Sequence, residues 1–181
     1  MKLKYLFLTI LIGSVLSSSA QKFISKTGVI EINSRIPVYT IKGVNNKVAS
    51  ILDVEIGEIY ASTLIRSFKF EEALVEERFN EIYLEPDKYP KSTFQGKITD
   101  YKKIDFSKNG SYDILIECKL TIHGKTNYIK ERGKLVIKDG VISANTVITI
   151  SLKSYEIKIE DAYQLDDVLL KIRFNYQPYS I

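Results

Sequence analysis

A strict alternation of apolar and polar residues runs through most of this chain. The stretch from Tyr112 to His123 shows it best, because every second residue there is apolar: Ile114, Ile116, Cys118, Leu120 and Ile122. Successive side chains of an extended strand point to opposite faces, so only one face of such a segment can be buried. The pattern therefore predicts antiparallel strands with one solvent-exposed face.

The same period of two recurs around Ile30, around Ile148, over 155–159 and over 168–176. Glycines that suit tight hairpins separate the strands at Asn109-Gly110, His123-Gly124 and Asp139-Gly140,. The alternation and turns predict an all-β meander, which must close as a two-sheet sandwich or as a barrel. Gly96 and Gly133 lie inside strands, where bends or bulges let a sheet curl, and they favour the barrel.

One segment departs from the alternation. Between Phe70 and Leu84, the residues Val75, Phe79, Ile82 and Tyr83 have helical spacing,. The sequence predicts one short helix there, which Pro86 ends. We expect the stripe residues Phe79 and Tyr83 to cover one opening of the barrel.

The first 20 residues have the pattern of a secretory signal peptide. Lys2 and Lys4 precede the apolar stretch Tyr5 to Leu16, and small residues lead up to Ala20. This stretch is too short to cross a bilayer stably. We therefore expect cleavage near Ala20, a periplasmic or secreted protein without an integral membrane segment, and one domain over residues 21–181.

Composition and polar residues argue against several kinds of chemistry. The formal net charge is +4 with interspersed signs, which argues against a nucleic-acid partner. The single histidine, His123, and the single cysteine, Cys118, are an odd number of residues apart and should face opposite sides of their strand. The sequence thus predicts no disulfide, no Cys/His catalytic pair, no metal site and no cofactor.

Two groups of residues carry a family resemblance. The first is the series Phe79-Asn80-Glu81, Asp87-Lys88-Tyr89-Pro90 and Phe94 to Gly96, and the second is the run Leu120-Thr121-Ile122-His123-Gly124. Through them the chain resembles the YceI-like family over nearly all of residues 21–181. The resemblance implies a lipocalin-like antiparallel barrel whose apolar interior accepts a polyisoprenoid or similar long lipid, without transforming it.

The inward residues of the strands are then the expected cavity lining: Phe94, Ile98, Ile114, Ile116, Leu120, Ile148, Ile150, Tyr155, Ile172 and Phe174. The residues alone leave alternatives open, since a small barrel can fill with its own side chains. A filled barrel would suit an envelope protein-interaction module. A third reading is a lipid hydrolase or isomerase with His123 as its base.

Overall fold

The computed structural model describes residues 22–36, 40–159 and 165–179, so the predicted signal peptide lies outside the described residues. Nine strands make up most of it: β1 Lys22–Arg35, β2 Thr40–Asp53, β3 Glu58–Leu64, β4 Lys69–Phe70, β5 Lys91–Ile98, β6 Gly110–Ile122, β7 Lys125–Lys138, β8 Val141–Ser151 and β9 Asp167–Pro178. Every strand pairing is antiparallel.

Eight of these strands close into a barrel. The strand order is β1-β9-β8-β7-β6-β5-β3-β2, and β1 pairs with β2 to complete the ring, while the two-residue β4 is attached to β2. The antiparallel barrel that the residues favoured over a sandwich, and that the family resemblance implied to be lipocalin-like, is therefore confirmed. Closure removes the free sheet edges that an open meander would leave.

Two of the three predicted hairpin turns have the expected chemistry, whereas Asn109-Gly110 ends a longer connection that contains the 3-10 turn Tyr101–Lys103. His123 and Gly124 have φ of 51° and 73°, and Asp139 and Gly140 have φ of 51° and 80°. Two successive residues with positive φ twist the chain in the sense that the flanking strands require. These turns join β6 to β7 and β7 to β8 at opposite ends of the barrel.

One of the two strand glycines, Gly96, acts differently from expectation. Gly96 lies in unbroken ladders opposite Ile59 and Cys118. It forms no bulge, and a Cβ there would stand only 2.7 Å from Ile116. The irregularity of register lies in β1, on both sides of Gly28.

Two segments differ from the sequence expectation. The helix is shorter than Phe70 to Leu84: α1 spans Ala73–Arg78 and passes directly into a π-helical turn, Phe79–Tyr83. Residues 155–159 do not form a strand, because the chain coils after β8 into a 3-10 turn, Lys153–Tyr155. Glu156 follows with φ of 55°, and Leu152 N–H donates to the Asp166 carbonyl oxygen. Alternation cannot distinguish this compact connection from a strand.

The buried residues form two apolar clusters stacked along the barrel axis. One lies towards the β7–β8 hairpin and includes Leu52, Ile98, Leu135 and Ile142. The other lies towards α1 and the β6–β7 hairpin, which we call the helix end. The candidate site lies between these clusters.

Candidate functional site

An apolar cavity of about 170 Å³ lies inside the barrel. Its wall takes side chains from the barrel strands and from the segment that crosses the helix end. Most of these side chains are aliphatic or aromatic, and the polar ones are Ser62, Thr63, Ser92, Thr93, Asn145 and Thr146. A ligand there would be held by dispersion and by the removal of apolar surface from water, not by hydrogen bonds.

The far end of the barrel is filled by the protein's own side chains. Leu52, Ile98, Leu135 and Ile142 are at most 1% exposed, and none of them reaches the cavity wall. The sequence left open whether the interior is hollow or filled by side chains. One half of the barrel is hollow and the other half is filled. The filled half anchors the fold and leaves the hollow half free for a ligand.

Tyr176 forms the floor between the two halves. Its ring packs against Phe174 at a centroid distance of 5.6 Å, and both residues border the cavity. The Tyr176 and Ser50 hydroxyl oxygens are 2.7 Å apart, and Ser50 Oγ is also 2.7 Å from the Tyr60 carbonyl oxygen. Burial raises the pKa of Tyr176. The phenol therefore stays neutral, and its one polar atom is satisfied away from the cavity.

Phe79 and Leu84 cover the helix end of the cavity. Both border it, together with Ile65 and Phe68. The Phe79 ring packs at 5.4 Å from Phe68 and at 4.8 Å from Phe70. Leu84 is 7% exposed. This cover lies outside the strand ladders, so its opening would break no strand hydrogen bond,.

Hydrogen bonds of His123 fix the loop that follows this cover. His123 Nε2 lies 2.7 Å from Glu85 Oε2, and His123 Nδ1 lies 3.3 Å from the Tyr155 carbonyl oxygen. The Tyr89 ring meets the imidazole edge-on at 4.6 Å. Both oxygen partners can accept a hydrogen bond from a ring N–H. His123 therefore ties the loop to the β6–β7 hairpin.

Eight of the ten predicted lining residues border the cavity: Phe94, Ile114, Ile116, Leu120, Ile148, Ile150, Ile172 and Phe174. The other two are buried elsewhere. Ile98 faces inward but belongs to the filled half, and Tyr155 belongs to the cluster at the helix end. Of the two predicted cover residues, Phe79 borders the cavity and Tyr83 packs beside that cluster. That any of them contacts a ligand stays a prediction.

Sequence reasoning missed part of the wall. Ile30 and Ile32 of β1 and Val48 of β2 border the cavity, and the alternation around Ile30 was a usable signal for the first two. Ile65 and Leu84 also border it, but they belong to connections between strands. No periodicity marks such residues, because their position depends on how the connections cross the barrel end.

A few polar groups lie near the inner face of β6 and β7. Burial raises the pKa of the Cys118 thiol to about 12 and also raises the pKa of Glu131. The Tyr155 hydroxyl is buried without a hydrogen-bond partner in the described chain. Over the described residues, no group of three or more potential ligands is placed to hold a metal ion. No helix in the same part of the chain is long and apolar enough to span a membrane.

The cavity volume limits what can enter without rearrangement. An apolar cavity of about 150 Å³ is known to hold benzene, so 170 Å³ takes roughly seven carbons of a chain, between one and two isoprene units. A longer chain must widen the cavity at its helix end or leave part of itself outside.

An antiparallel closed barrel with one apolar internal cavity defines a lipocalin-like binding fold. The chain belongs to the YceI-like domain family, whose pattern matches residues 21–176. A comparison with curated proteins finds no match.

Solved structures share this fold. A polyisoprenoid-binding domain from Saccharophagus degradans, described as implicated in plant cell wall breakdown, superposes with a TM-score of 0.74 at 11% identity, over 88% of this chain and 99% of that one. BcnA of Burkholderia cenocepacia gives 0.63 at 14% identity, over 86% and 96%. The YceI protein of Campylobacter jejuni gives 0.60 at 17% identity, over 78% and 87%. At these identities the likeness establishes the fold alone.

Proposed function

We propose that this protein is an exported carrier that holds the apolar end of a long lipid of the polyisoprenoid type in its barrel and does not transform it. The observation that carries the proposal is the cavity itself, with its nearly all-apolar wall. The Saccharophagus degradans domain of the same fold is described as polyisoprenoid-binding, which supports the choice of ligand class. The signal-peptide pattern of residues 1–20 supports export to the periplasm or beyond,.

Burial energy is sufficient for such a role. Each buried methylene contributes about 0.8 kcal/mol, so roughly seven carbons contribute about 5–6 kcal/mol before the cost of association. That corresponds to weak binding by the cavity as it stands. If the cover over Phe79 and Leu84 moves and lets about eight further carbons in, the burial energy of about 12 kcal/mol exceeds an association cost of about 4 kcal/mol by enough for micromolar affinity.

The contacts at His123 favour binding over catalysis. Its two ring nitrogens are engaged by Glu85 and by the Tyr155 carbonyl, and His123 is not part of the cavity wall. A general base must reach the proton that it abstracts. We therefore assign His123 to loop anchoring, and we expect a His123→Ala variant to bind lipid with a faster release rate and without any change in ligand chemistry.

Extraction of the purified protein with organic solvent, followed by mass spectrometry, tests the proposal. A carrier should yield a lipid in a near-stoichiometric ratio to protein. The matched pair of variants is Ala144→Phe, which fills the cavity from its wall, and Thr149→Phe, which adds the same ring to the exposed face of the same strand. Ala144→Phe should be purified without bound lipid, and Thr149→Phe should be purified with it. A wild-type protein without lipid, unable to bind added apolar chains, would instead support an interaction module.

A further inference from the structure

The barrel wall is split along half of one seam, between β7 and β8. The ladder between them runs from the hairpin only as far as Gly133 and Thr146. Beyond that rung, Lys125–Arg132 pairs with β6 alone and Val147–Ser151 pairs with β9 alone, within the described chain. Two strand segments therefore face each other without a shared ladder, beside the hollow half of the barrel.

Both ends of this split are fixed. At one end, Thr146 Oγ1 donates to the Arg132 carbonyl oxygen at 2.6 Å. At the other end, Asn127 Nδ2 donates to the Ser154 carbonyl oxygen at 2.8 Å, and Lys125 Nζ lies 2.7 Å from Glu156 Oε1. The split is thus a bounded opening and not a frayed strand end.

The seam between β2 and β3 is a useful contrast. Its ladder is also short, covering Ala49–Asp53 of β2. There, Asn45 crosses to the neighbouring strand through Nδ2, which donates to Thr63 Oγ1 at 2.7 Å and to the Leu64 carbonyl oxygen at 3.2 Å. Asn45 is fully buried. In the described chain, no such side chain bridges the middle of the β7–β8 split.

A surface pocket lies at the point where β7 and β8 diverge, and it shares wall residues with the internal cavity. The shared residues are Ile114, Gly133, Asn145, Thr146 and Ile172. The absence of a side chain at Gly133 keeps this part of the wall thin. The outer pocket and the apolar interior are therefore separated by little more than the backbone of one rung.

The outer pocket is basic. Its rim carries Arg132, Lys134, Lys171 and Arg173 against one acid, Asp113. Arg173 is neutralised by Glu31 at 2.6 Å. The three remaining cations form no ion pair within 4 Å with a carboxylate of the described residues. Strand alternation explains the cluster, since all four point outward from β7 and β9, the two strands that flank β8,.

We propose that the β7–β8 split is where a bound amphiphile crosses the barrel wall, with its apolar chain in the cavity and an anionic head group, phosphate or carboxylate, held by Arg132, Lys134 and Lys171 in the outer pocket. This inference rests on the proposed lipid-binding function and names the head-group chemistry of the ligand. An uncharged head group would form no ion pair with the three cations, although Lys134 and Lys171 lie across from Asp113 and Glu31 in the ladders. A free anion would make no use of the adjoining apolar cavity.

Three probes separate these contributions: decyl phosphate, 1-decanol and inorganic phosphate, each titrated into the purified protein by calorimetry at low salt. We expect decyl phosphate to bind at least about tenfold more tightly than decanol, because charge-assisted contacts add to the same apolar burial. A double variant, Arg132→Gln with Lys134→Gln, should remove most of this preference and leave the decanol affinity unchanged.

The matched control is Lys97→Gln with Lys119→Gln, which removes the same charge from exposed positions on β5 and β6 that do not border the pocket. It should keep the tenfold preference. Amide shifts that differ between the two decyl probes should map to residues 132–134 and 146–147.

Distinct results overturn distinct claims. Equal binding of the two decyl probes, or a preference that survives in the double variant, refutes the head-group site and leaves the carrier function standing. Displacement of decyl phosphate by equimolar inorganic phosphate also refutes it, since the site would then recognise a free anion. Failure of both decyl probes to bind refutes the carrier function and the head-group site together.

Discussion

Filling the cavity from its wall is the sharpest test of the hollow barrel. Ala144 of β8 borders the cavity and lies between Leu135 on β7 and Phe174 on β9 in the ladder. An Ala144→Phe substitution adds six ring carbons at this point. An apolar cavity of about 150 Å³ holds a benzene ring, so the new ring occupies most of the 170 Å³ that is present.

Both the affinity and the stability should change. A chain that loses roughly six buried carbons loses about 5 kcal/mol at about 0.8 kcal/mol per methylene, which is a weakening of ~1,000-fold or more. Filling ~150 Å³ at about 24 cal/mol per Å³ gives up to ~3.6 kcal/mol of stability, and the strain of overpacking removes about 1–3 kcal/mol of it. We therefore expect the ligand-free variant to be as stable as the wild type or slightly more stable.

Displacement of a fluorescent apolar reporter by 1-decanol measures the affinity, and thermal unfolding of the ligand-free proteins measures the stability. The chain has no tryptophan, so reporter emission is free of that background. Thr149→Phe is the control, because its side chain points away from the interior on the same strand. If folded Ala144→Phe binds decanol within threefold of the wild type, the cavity is not where the chain lies, and the reasoning fails.

Three further predictions concern the cover and the buried polar groups. Phe79→Ala should speed release of a bound chain about tenfold in stopped-flow measurements, whereas Leu74→Ala on exposed α1 should not; equal rates would remove the cover role. The Cys118 thiol, with its pKa raised to about 12, should resist thiol reagents at pH 8 until the protein unfolds, and rapid labelling of the native protein would contradict its burial. Burial also raises the pKa of Glu131, so the folded state binds that proton more tightly than the unfolded chain does, and the carboxylate is destabilising above its folded pKa. Glu131→Gln should therefore raise Tm by about 1–2 °C at pH 8 and lose this advantage as the pH falls below the usual Glu range; a gain independent of pH would refute this explanation.

Local residue chemistry was enough to predict the strands and turns. Alternation placed Ile114, Ile116 and Leu120 on the inner face because a strand has only two faces, and the structure agrees. Positive φ at Gly124 and Gly140 follows from the tight turns that these glycines permit. Each of these features depends on a few neighbouring residues, so no knowledge of distant contacts was needed.

The sequence could not predict how far along the barrel axis each inward residue lies. Ile98 and Ile116 are both inward residues of adjoining strands and pair directly with each other, yet only Ile116 borders the cavity. Alternation specifies the face of a strand and carries no information on what fills the space opposite. The same limit misplaced Tyr155, whose apparent strand is a 3-10 turn set by contacts with β7 and Asp166.

The sequence by itself determined antiparallel strands with one solvent-exposed face and most of the side chains on the opposite, buried face, because both depend on local periodicity and turn conformation. Only the tertiary structure decided that half of the interior is filled and half is hollow, that the seam between β7 and β8 is split, and that cations from β7 and β9 meet there. These features depend on how strands distant in sequence pack and diverge around a closed ring. No pattern within a single strand encodes that arrangement.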